Sequence, residues 1–203
     1  MPLTDFQKKI AKLLAANRTP DSHLAGGAAL HLEPNTIRYS NDLDYFHDSE
    51  QRVAQAFTQD KETLESNGLK VTIEMNQPGF IRSIISQGKT SKDQENTKVE
   101  WAHDSSWRFM PAISHPDSGY QLHSIDLCIN KVLALAGRDE PRDFLDVLYA
   151  HDNFLPLGAL CWAATGKDPG FTPHSLLELL KRRGKYREED FNRLHLTLSL
   201  IHI

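Results

Sequence analysis

The chain has 203 residues, of which 39% are hydrophobic and 25% are charged, and these proportions are ordinary for a globular protein of one domain or two small ones. A formal net charge of −4 excludes a strong attraction of the whole chain to nucleic acid, although a local basic patch could still provide one. No apolar run approaches the roughly 18 residues of a transmembrane helix, and the first residues lack the apolar core of a signal peptide. We therefore expect a cytoplasmic protein with no membrane partner.

The N-terminal part of the chain has the pattern of an α/β region. Apolar residues from Phe6 to Leu14 recur at helical spacing and predict a helix over residues 4–16. A short strand over residues 23–25 would lead into a glycine turn, and a second helix over residues 28–32 would follow it. The next predicted elements are an acidic strand, a helix and three more strands, over residues 37–47, 51–67, 69–75, 80–86 and 97–102.

The pattern changes in the C-terminal part of the chain. Residues 103–120 contain two prolines and a glycine, which predict an irregular, mobile connection. From Leu122 onward the apolar spacing is helical. The predicted helices are four, over residues 125–136, from Pro141 onward, 157–164 and 175–183. We therefore expect two domains, an α/β core over residues 1–120 and a helical region over residues 121–203 packed on it.

Two carboxylates, Asp42 and Asp44, alternate with Leu43 and Tyr45 in the predicted acidic strand. Since successive side chains of a strand point to opposite faces, the two carboxylates share one face. They would repel each other unless a cation lay between them. Carboxylate oxygens suit magnesium, which takes one or two carboxylates together with the phosphates of a substrate. A solvated acidic strand end is the alternative interpretation of the same pair.

Two adjacent glycines, Gly26 and Gly27, precede the acidic strand. A backbone without side chains can approach a phosphate closely, and successive N–H groups form a concavity that binds anions. The glycines therefore predict a place for a triphosphate, and an ordinary turn is the alternative. Arg38 and Ser40 lie four and two residues before Asp42 in the predicted strand, so both would project from the same face as Asp42, toward the opening of the site. There Arg38 could contact phosphate or pair with an aspartate at the surface.

The ordered set of these residues resembles the AbiEii/AbiGii group of nucleotidyltransferases, which includes the MenT toxins and belongs to the polymerase-beta-like superfamily. The resemblance runs from about Ser22 to about Leu196 and rests on Gly26-Gly27-Ala28-Ala29-Leu30, Arg38, the segment Ser40 to Asp44, Lys131 and Pro141-Arg142-Asp143-Phe144-Leu145-Asp146. A glycine pair or an Asp-x-Asp pair alone is weak, but the ordered set is specific. It implies an α+β fold, in which a polymerase-beta-like core with a mixed sheet and flanking helices precedes a C-terminal helical bundle.

The resemblance also implies a function. It implies a magnesium-dependent enzyme that transfers a nucleotide from an NTP to a tRNA-like RNA or to a protein acceptor. It further implies the toxin of a toxin–antitoxin or abortive-infection system for phage defence, with a cognate antitoxin as partner. The alternative is a catalytically silent nucleotide-binding module of the same fold, with a regulatory or interaction role.

The superfamily has a third carboxylate on a later strand, and Glu100 is the candidate for it here. Val99 and Trp101 flank this glutamate, so it places a charge inside an otherwise apolar strand. By resemblance Glu100 would be a metal ligand together with the Asp-x-Asp pair, or the base for the incoming hydroxyl. Asp104 is the other candidate, and an exposed strand face is the alternative explanation of Glu100.

By resemblance, Lys131 belongs to the nucleotide-binding motif as a point charge for the triphosphate. Asp143 would be the functional acid of the same motif, holding Lys131 in place. The alternatives are structural. A lysine on the polar side of a helix is usually solvated, and a carboxylate in the first turn of a helix stabilises that helix through its dipole.

Overall fold

The structure is a computed structural model that describes residues 3–32, 38–88, 95–191 and 194. Its described residues form one mixed sheet with the strand order β3-β4-β5-β2-β1-β7-β6. In chain order the seven strands are β1 (Ser22–Ala25), β2 (Asp42–His47), β3 (Lys70–Gln77), β4 (Phe80–Gln87), β5 (Glu95–His103), β6 (Ile113–His115) and β7 (Gly119–Gln121). The β2–β5 and β1–β7 pairs are parallel, and the other neighbours are antiparallel.

The chain divides into two compact units. The first, which we call the sheet unit, comprises the described residues of Met1–Pro34, Ser40–Ser106 and Pro111–His123. The second, which we call the helical unit, comprises the described residues of Asn35–Tyr39, Trp107–Met110 and Ser124–Ile203. The predicted domains, residues 1–120 and 121–203 packed together, stay a prediction.

Three α-helices belong to the sheet unit: α1 (Asp5–Leu14), which a 3₁₀ turn follows, α2 (Gly26–Leu30) and α3 (Glu50–Ser66). The first of them begins at a capping box. The Thr4 backbone N–H donates to Gln7 Oε1 at 2.9 Å, and the Gln7 N–H donates to Thr4 Oγ1 at 3.1 Å. These two bonds satisfy backbone donors that a helix start would otherwise leave without partners.

One face of the sheet is covered by α1 and α3 and forms the core of the sheet unit. Tyr45 and Trp101 on this face are 0% exposed. The ring of Phe57 in α3 packs edge-on against Trp101 with centroids 5.1 Å apart, and Trp101 Nε1 donates to Asp60 Oδ2 at 2.6 Å. These contacts fix β5 against α3. The other face, which we call the open face, carries the intervening side chains of β2, β4 and β5, and most of these are buried or half-buried.

The helical unit contains α4 (Ser124–Arg138), α5 (Pro141–Asn153), α6 (Leu157–Lys167), α7 (Pro173–Leu180) and α8 (Glu188–Phe191). Pro141 occupies the first turn of α5, as predicted, because its missing N–H would have no helical partner there. The buried Asp126 of α4 accepts from the backbone N–H groups of Phe109 and Met110, both at 3.0 Å. Among the described residues, no helix has both the length and the apolar character of a membrane span.

The predicted α+β class, with a mixed sheet and flanking helices, is confirmed. Three local predictions were wrong. The helix α2 begins at the glycines themselves and not after them, and the described part of the acidic strand begins at Asp42. The supposed irregular connection over residues 103–120 contains β6 and the start of β7, which extend the sheet beside β1. Strands of three residues are too short for alternation to reveal them.

Candidate active site

The open face is the place where strand pairing brings three predicted site carboxylates together. Asp44 of β2 is the register partner of Glu100 in β5, and Asp42 is the partner of Lys98. On the other side of β5, Arg82 of β4 is the partner of Glu100. Since neighbouring strands lie about 4.8 Å apart, these five side chains form one charged cluster. The prediction that Asp42 and Asp44 share a face is confirmed.

The position of Asp44 explains why residue 26 is a glycine. Its φ is +62°, a left-handed conformation that residues with a Cβ rarely adopt. A Cβ at this position would collide with the carboxylate of Asp44. Asp44 pairs with Ala25, the last residue of β1, so the strand pair places the carboxylate against the start of α2. Gly27 lies buried within α2, and the predicted contact of both glycines with a triphosphate stays a prediction.

Lys98 lies between two of the carboxylates. Its Nζ is 3.0 Å from Asp42 Oδ2 and 3.3 Å from Glu100 Oε1. The same Glu100 oxygen accepts from Arg82 Nε at 2.8 Å. A side chain of the protein itself thus supplies a cation between Asp42 and Glu100, whereas the expected cation between Asp42 and Asp44 stays a prediction. Counting Asp44, three carboxylates face two cations in this cluster, which leaves one net negative charge.

The environment of Lys98 stabilises its charged form. Burial alone would lower the pKa of this lysine, but the hydrogen bond and the charge of Asp42, together with the charge of Glu100, outweigh burial and raise the pKa above its ordinary value. The side chain of Lys98 is therefore charged near neutral pH.

Ser40 orders the chain just before Asp42. Its hydroxyl donates to the Asp42 backbone oxygen at 3.0 Å and lies 3.3 Å from Asp42 Oδ1. Gln7 of α1 holds the same segment, since its Nε2 donates to the Ser40 backbone oxygen at 3.1 Å and to Thr97 Oγ1 at 3.2 Å. Ser40 thus positions the Asp42 carboxylate, whereas its predicted role in nucleotide binding stays a prediction.

The fit of this cluster to magnesium follows from its donor atoms. In the described ranges, no group of three or more His, Cys, Asp or Glu side chains is arranged to hold a metal ion. The oxygens of Asp42 and Glu100 instead converge on the ammonium of Lys98. Oxygens that converge on one cation suit another, and carboxylate oxygens are the donors that magnesium prefers. The residues therefore fit magnesium if the ammonium moves away, and the set Asp42, Asp44 and Glu100 stays a prediction.

A second charged cluster lies within the helical unit. Lys131 Nζ of α4 is 2.8 Å from Asp146 Oδ2 and 3.3 Å from Asp143 Oδ1, both in α5. Arg38 donates twice to Asp146, from Nε and Nη2, both at 2.7 Å. Arg138 donates to Asp143 at 2.5 and 2.9 Å. Three cations thus face two carboxylates, so these five side chains carry one net positive charge.

Burial and ion pairing have opposite effects on the pKa of Asp143. Burial raises the pKa of its carboxyl, but the hydrogen bond from Arg138 and the charges of Lys131 and Arg138 outweigh burial and leave the pKa below its ordinary value of 3.8. The prediction that Asp143 holds Lys131 in place agrees with this geometry. Lys131 is only 6% exposed, so the alternative of a solvated helical lysine is wrong.

The predicted site residues belong to both units. Those of the sheet unit are Gly26, Gly27, Ser40, Asp42, Asp44 and Glu100, and those of the helical unit are Arg38, Lys131 and Asp143. Sequence reasoning missed the roles of Lys98, Arg82 and Arg138. Lys98 lies two residues before Glu100 and therefore on the same face of the predicted strand, and this was the available signal for the role of Lys98. Asp104 lies beyond the end of β5, so register favours Glu100 over Asp104.

His47 of β2 is 0% exposed, and it lies on the same side of the strand as Leu43 and Tyr45. Burial together with the charges of Arg18 and Arg52 lowers its pKa to about 3. Arg142 of α5 has an ion pair with Glu140 at 2.7 Å.

Comparison with solved structures identifies the fold. MenT4, a nucleotidyltransferase toxin from Mycobacterium tuberculosis H37Rv, matches with a TM-score of 0.58 and 16% identity over 91% of this chain and 68% of that chain. JHP933 from Helicobacter pylori matches with a TM-score of 0.58 and 15% identity over 88% of this chain and 90% of that one. Another H. pylori structure, described provisionally as a nucleotidyltransferase, has a TM-score of 0.56 at 15% identity and covers 87% and 90% of the two chains. No protein-family model matches the sequence, and no curated protein matches it significantly.

The chain therefore has a nucleotidyltransferase fold. Within that class the fold is MenT-like, which confirms the family resemblance at the level of structure. Identities of 15–16% establish the fold alone, so the activity is argued from the residues of the two clusters.

Proposed function

We propose that this protein is a magnesium-dependent nucleotidyltransferase that transfers a nucleotide from an NTP to a tRNA-like RNA or to a protein hydroxyl. The observation that carries the proposal is the pairing of Asp44 with Glu100 and of Asp42 with Lys98 on the open face. This pairing places three carboxylates side by side on a nucleotidyltransferase fold, with Gly26 making room for one of them.

Magnesium would be held by Asp42, Asp44 and Glu100. When bound, the ion would neutralise phosphate charge and orient the reacting phosphoryl group. The residues of the chain would assist the transfer step. The acceptor hydroxyl oxygen would form a bond to the α-phosphorus while the bond from that phosphorus to the leaving pyrophosphate breaks. A carboxylate of the cluster, for which Glu100 is the candidate, would accept the hydroxyl proton.

Lys131 is the proposed contact for the triphosphate. What supports this role is that Lys131, together with Arg38 and Arg138, forms a cationic group around Asp143 and Asp146. Cations gathered at one place attract an anionic ligand. Asp143 would orient the ammonium, and Arg38 is a further candidate for phosphate contact.

The test uses one NTP with two labels. Protein, magnesium and total RNA or total protein are incubated with an NTP labelled at the α- or at the γ-phosphate, beside reactions with a chelator. Nucleotidyl transfer places the α-label, but not the γ-label, on the acceptor, and the chelator abolishes it. Transfer of the γ-label would instead indicate a kinase. Saturable NTP binding with neither label transferred would favour the second candidate, a catalytically silent nucleotide-binding module.

We further propose a biological role as the toxin of a toxin–antitoxin or abortive-infection system, with a cognate antitoxin as partner. What supports it is the MenT-like fold, since MenT4 is described as a nucleotidyltransferase toxin. The supply of NTP and magnesium places the proposed reaction in the cytoplasm. Induced expression in a bacterial host, with Asp44→Ala as control, tests this role. Slowed growth by the wild type alone supports it, and equal growth of both strains would exclude it in that host.

A further inference from the structure

Lys98 lies beside the proposed magnesium site. It is the register partner of Asp42, one of the proposed ligands, and its ammonium lies within 3.3 Å of carboxylate oxygens from two of them. The Asp42 side chain is 10% exposed and that of Glu100 is 17% exposed, so little water reaches these carboxylates. The lysine therefore supplies much of the positive charge that they experience.

The ammonium and a divalent ion compete for the same atoms. A magnesium ion binds carboxylate oxygens at about 2.0–2.1 Å and needs near-octahedral space around it. Asp42 Oδ2 and Glu100 Oε1 are the two oxygens that contact Lys98. A second cation at these oxygens would be repelled strongly at such short range. Metal binding there requires Lys98 to leave.

A triphosphate offers the ammonium a new partner. An NTP brings several negative charges into the cluster, and a long lysine side chain can move between anions a few ångströms apart. Because Arg82 also contacts Glu100, this carboxylate keeps one cationic partner when the lysine leaves. Nucleotide binding can thus release Lys98 from the carboxylates without leaving Glu100 unpaired.

We propose that Lys98 is an internal cation that weakens magnesium binding until a nucleotide arrives, so that metal and nucleotide favour each other's binding. This inference rests on the proposed function, because it assumes that an NTP is the substrate. In thermodynamic terms, Lys98 creates a positive coupling between the two ligands: each raises the affinity for the other, and the coupling is reciprocal.

The experiment measures Mn²⁺ binding, followed by the electron paramagnetic resonance signal of the free ion, without nucleotide. Lys98→Met keeps the length of the side chain and removes the charge, and Lys98→Gln is the second variant in case Lys98→Met does not fold. The matched control is Lys70→Met, which removes one exposed lysine at the edge of the same sheet. We expect Lys98→Met to bind Mn²⁺ about tenfold more tightly than the wild type, and Lys70→Met to stay within about twofold.

A second titration adds a non-hydrolysable NTP analogue. It should tighten Mn²⁺ binding to the wild type by about tenfold or more, and to Lys98→Met by much less. Equal Mn²⁺ affinity of folded Lys98 variants and wild type would overturn the inference. Neither titration requires turnover, so the two proposals fail separately. A wild type that transfers nucleotide beside unchanged Lys98 variants would refute this inference alone, and a wild type without transfer beside tighter Lys98 variants would refute the enzyme alone.

Discussion

Asp44 and Glu100 lie directly opposite each other on the parallel strands β2 and β5. This relationship joins two segments that are far apart in the sequence, and it places the second carboxylate of the Asp-x-Asp pair beside the later carboxylate. Asp44 also lies against Gly26, where a Cβ would collide with it. Gly26, Asp44 and Glu100 are therefore coupled, and a change at the glycine should displace the Asp44 carboxylate.

Gly26→Ala tests the close contact between residue 26 and Asp44. The left-handed backbone should cost alanine about 1–2 kcal/mol, and the new methyl group must displace the Asp44 carboxylate. We expect lower stability in urea unfolding and a large loss of nucleotide transfer. Gly137→Ala is the control, because that glycine lies in α4 and a methyl group added there would meet no other part of the described chain within 4 Å. The control should be neutral or more stable by up to about 1 kcal/mol. Equal behaviour of the two variants would contradict the close contact at Asp44.

Lys131→Met tests the cluster of the helical unit. The change removes one cation from two fully buried carboxylates, Asp143 and Asp146, each of which keeps an arginine partner, and should lower the free energy of unfolding by about 2 kcal/mol. Lys181→Met is the control, since its pair with Glu178 is exposed and should contribute less than about 1 kcal/mol. Urea unfolding of both variants measures the difference. A loss below about 1 kcal/mol at Lys131 would show that the arginines alone neutralise the cluster.

The carboxyl of Asp143 should contribute to stability in a pH-dependent way. Its pKa is lowered in the folded protein, so the folded state binds its proton less readily than the unfolded state does. The contribution is therefore fully present above the ordinary value of 3.8 and is lost as the pH falls through the lower, folded value. Asp143→Asn should be less stable than the wild type at pH 7, and this gap should narrow only below about pH 4. A gap that stays constant down to about pH 2.5 would contradict the shift.

His47 should make the protein sensitive to mild acid. Its pKa is lowered from 6.5 to about 3, so below pH 6.5 the unfolded state takes up a proton that the folded state does not. Stability should fall by about 1.4 kcal/mol for each pH unit between these values, which is about 2 kcal/mol from pH 6.5 to 5. His47→Asn removes this slope and leaves the other histidines in place. Urea unfolding at several pH values gives the difference, and parallel curves for the two proteins would refute the assignment.

The sequence allowed the faces of the strands to be predicted, but not which strands are neighbours. Alternation along β2 placed Asp42 and Asp44 on one face, and Leu43 is indeed buried on the other. Local pattern does not show that β5 lies beside β2, so the proximity of Lys98 to Asp42 was not foreseen. That pairing is a long-range contact, set by the packing of the whole sheet.

The same limit applied in the helical unit. Lys131 was expected either as a solvated lysine or, by resemblance, beside Asp143. Its burial depends on Asp146 and Asp143 from the next helix, which neutralise it. A charged residue at the end of a helix usually interacts with the helix dipole, so the position of Arg138 alone did not indicate a partner. Here it donates two hydrogen bonds to Asp143.

We propose that the carboxylates of the open face carry out magnesium-dependent nucleotidyl transfer. The most direct measurement is the transfer of α-labelled NTP to acceptor by the wild type, Asp42→Asn and Asp44→Asn at equal concentration with magnesium. Asparagine keeps the shape of the side chain and removes the charge that a metal needs. We predict labelled product with the wild type and none above background with either variant, although both remain folded in a thermal melt. Transfer by either folded variant at the rate of the wild type would show that the reaction does not depend on these carboxylates.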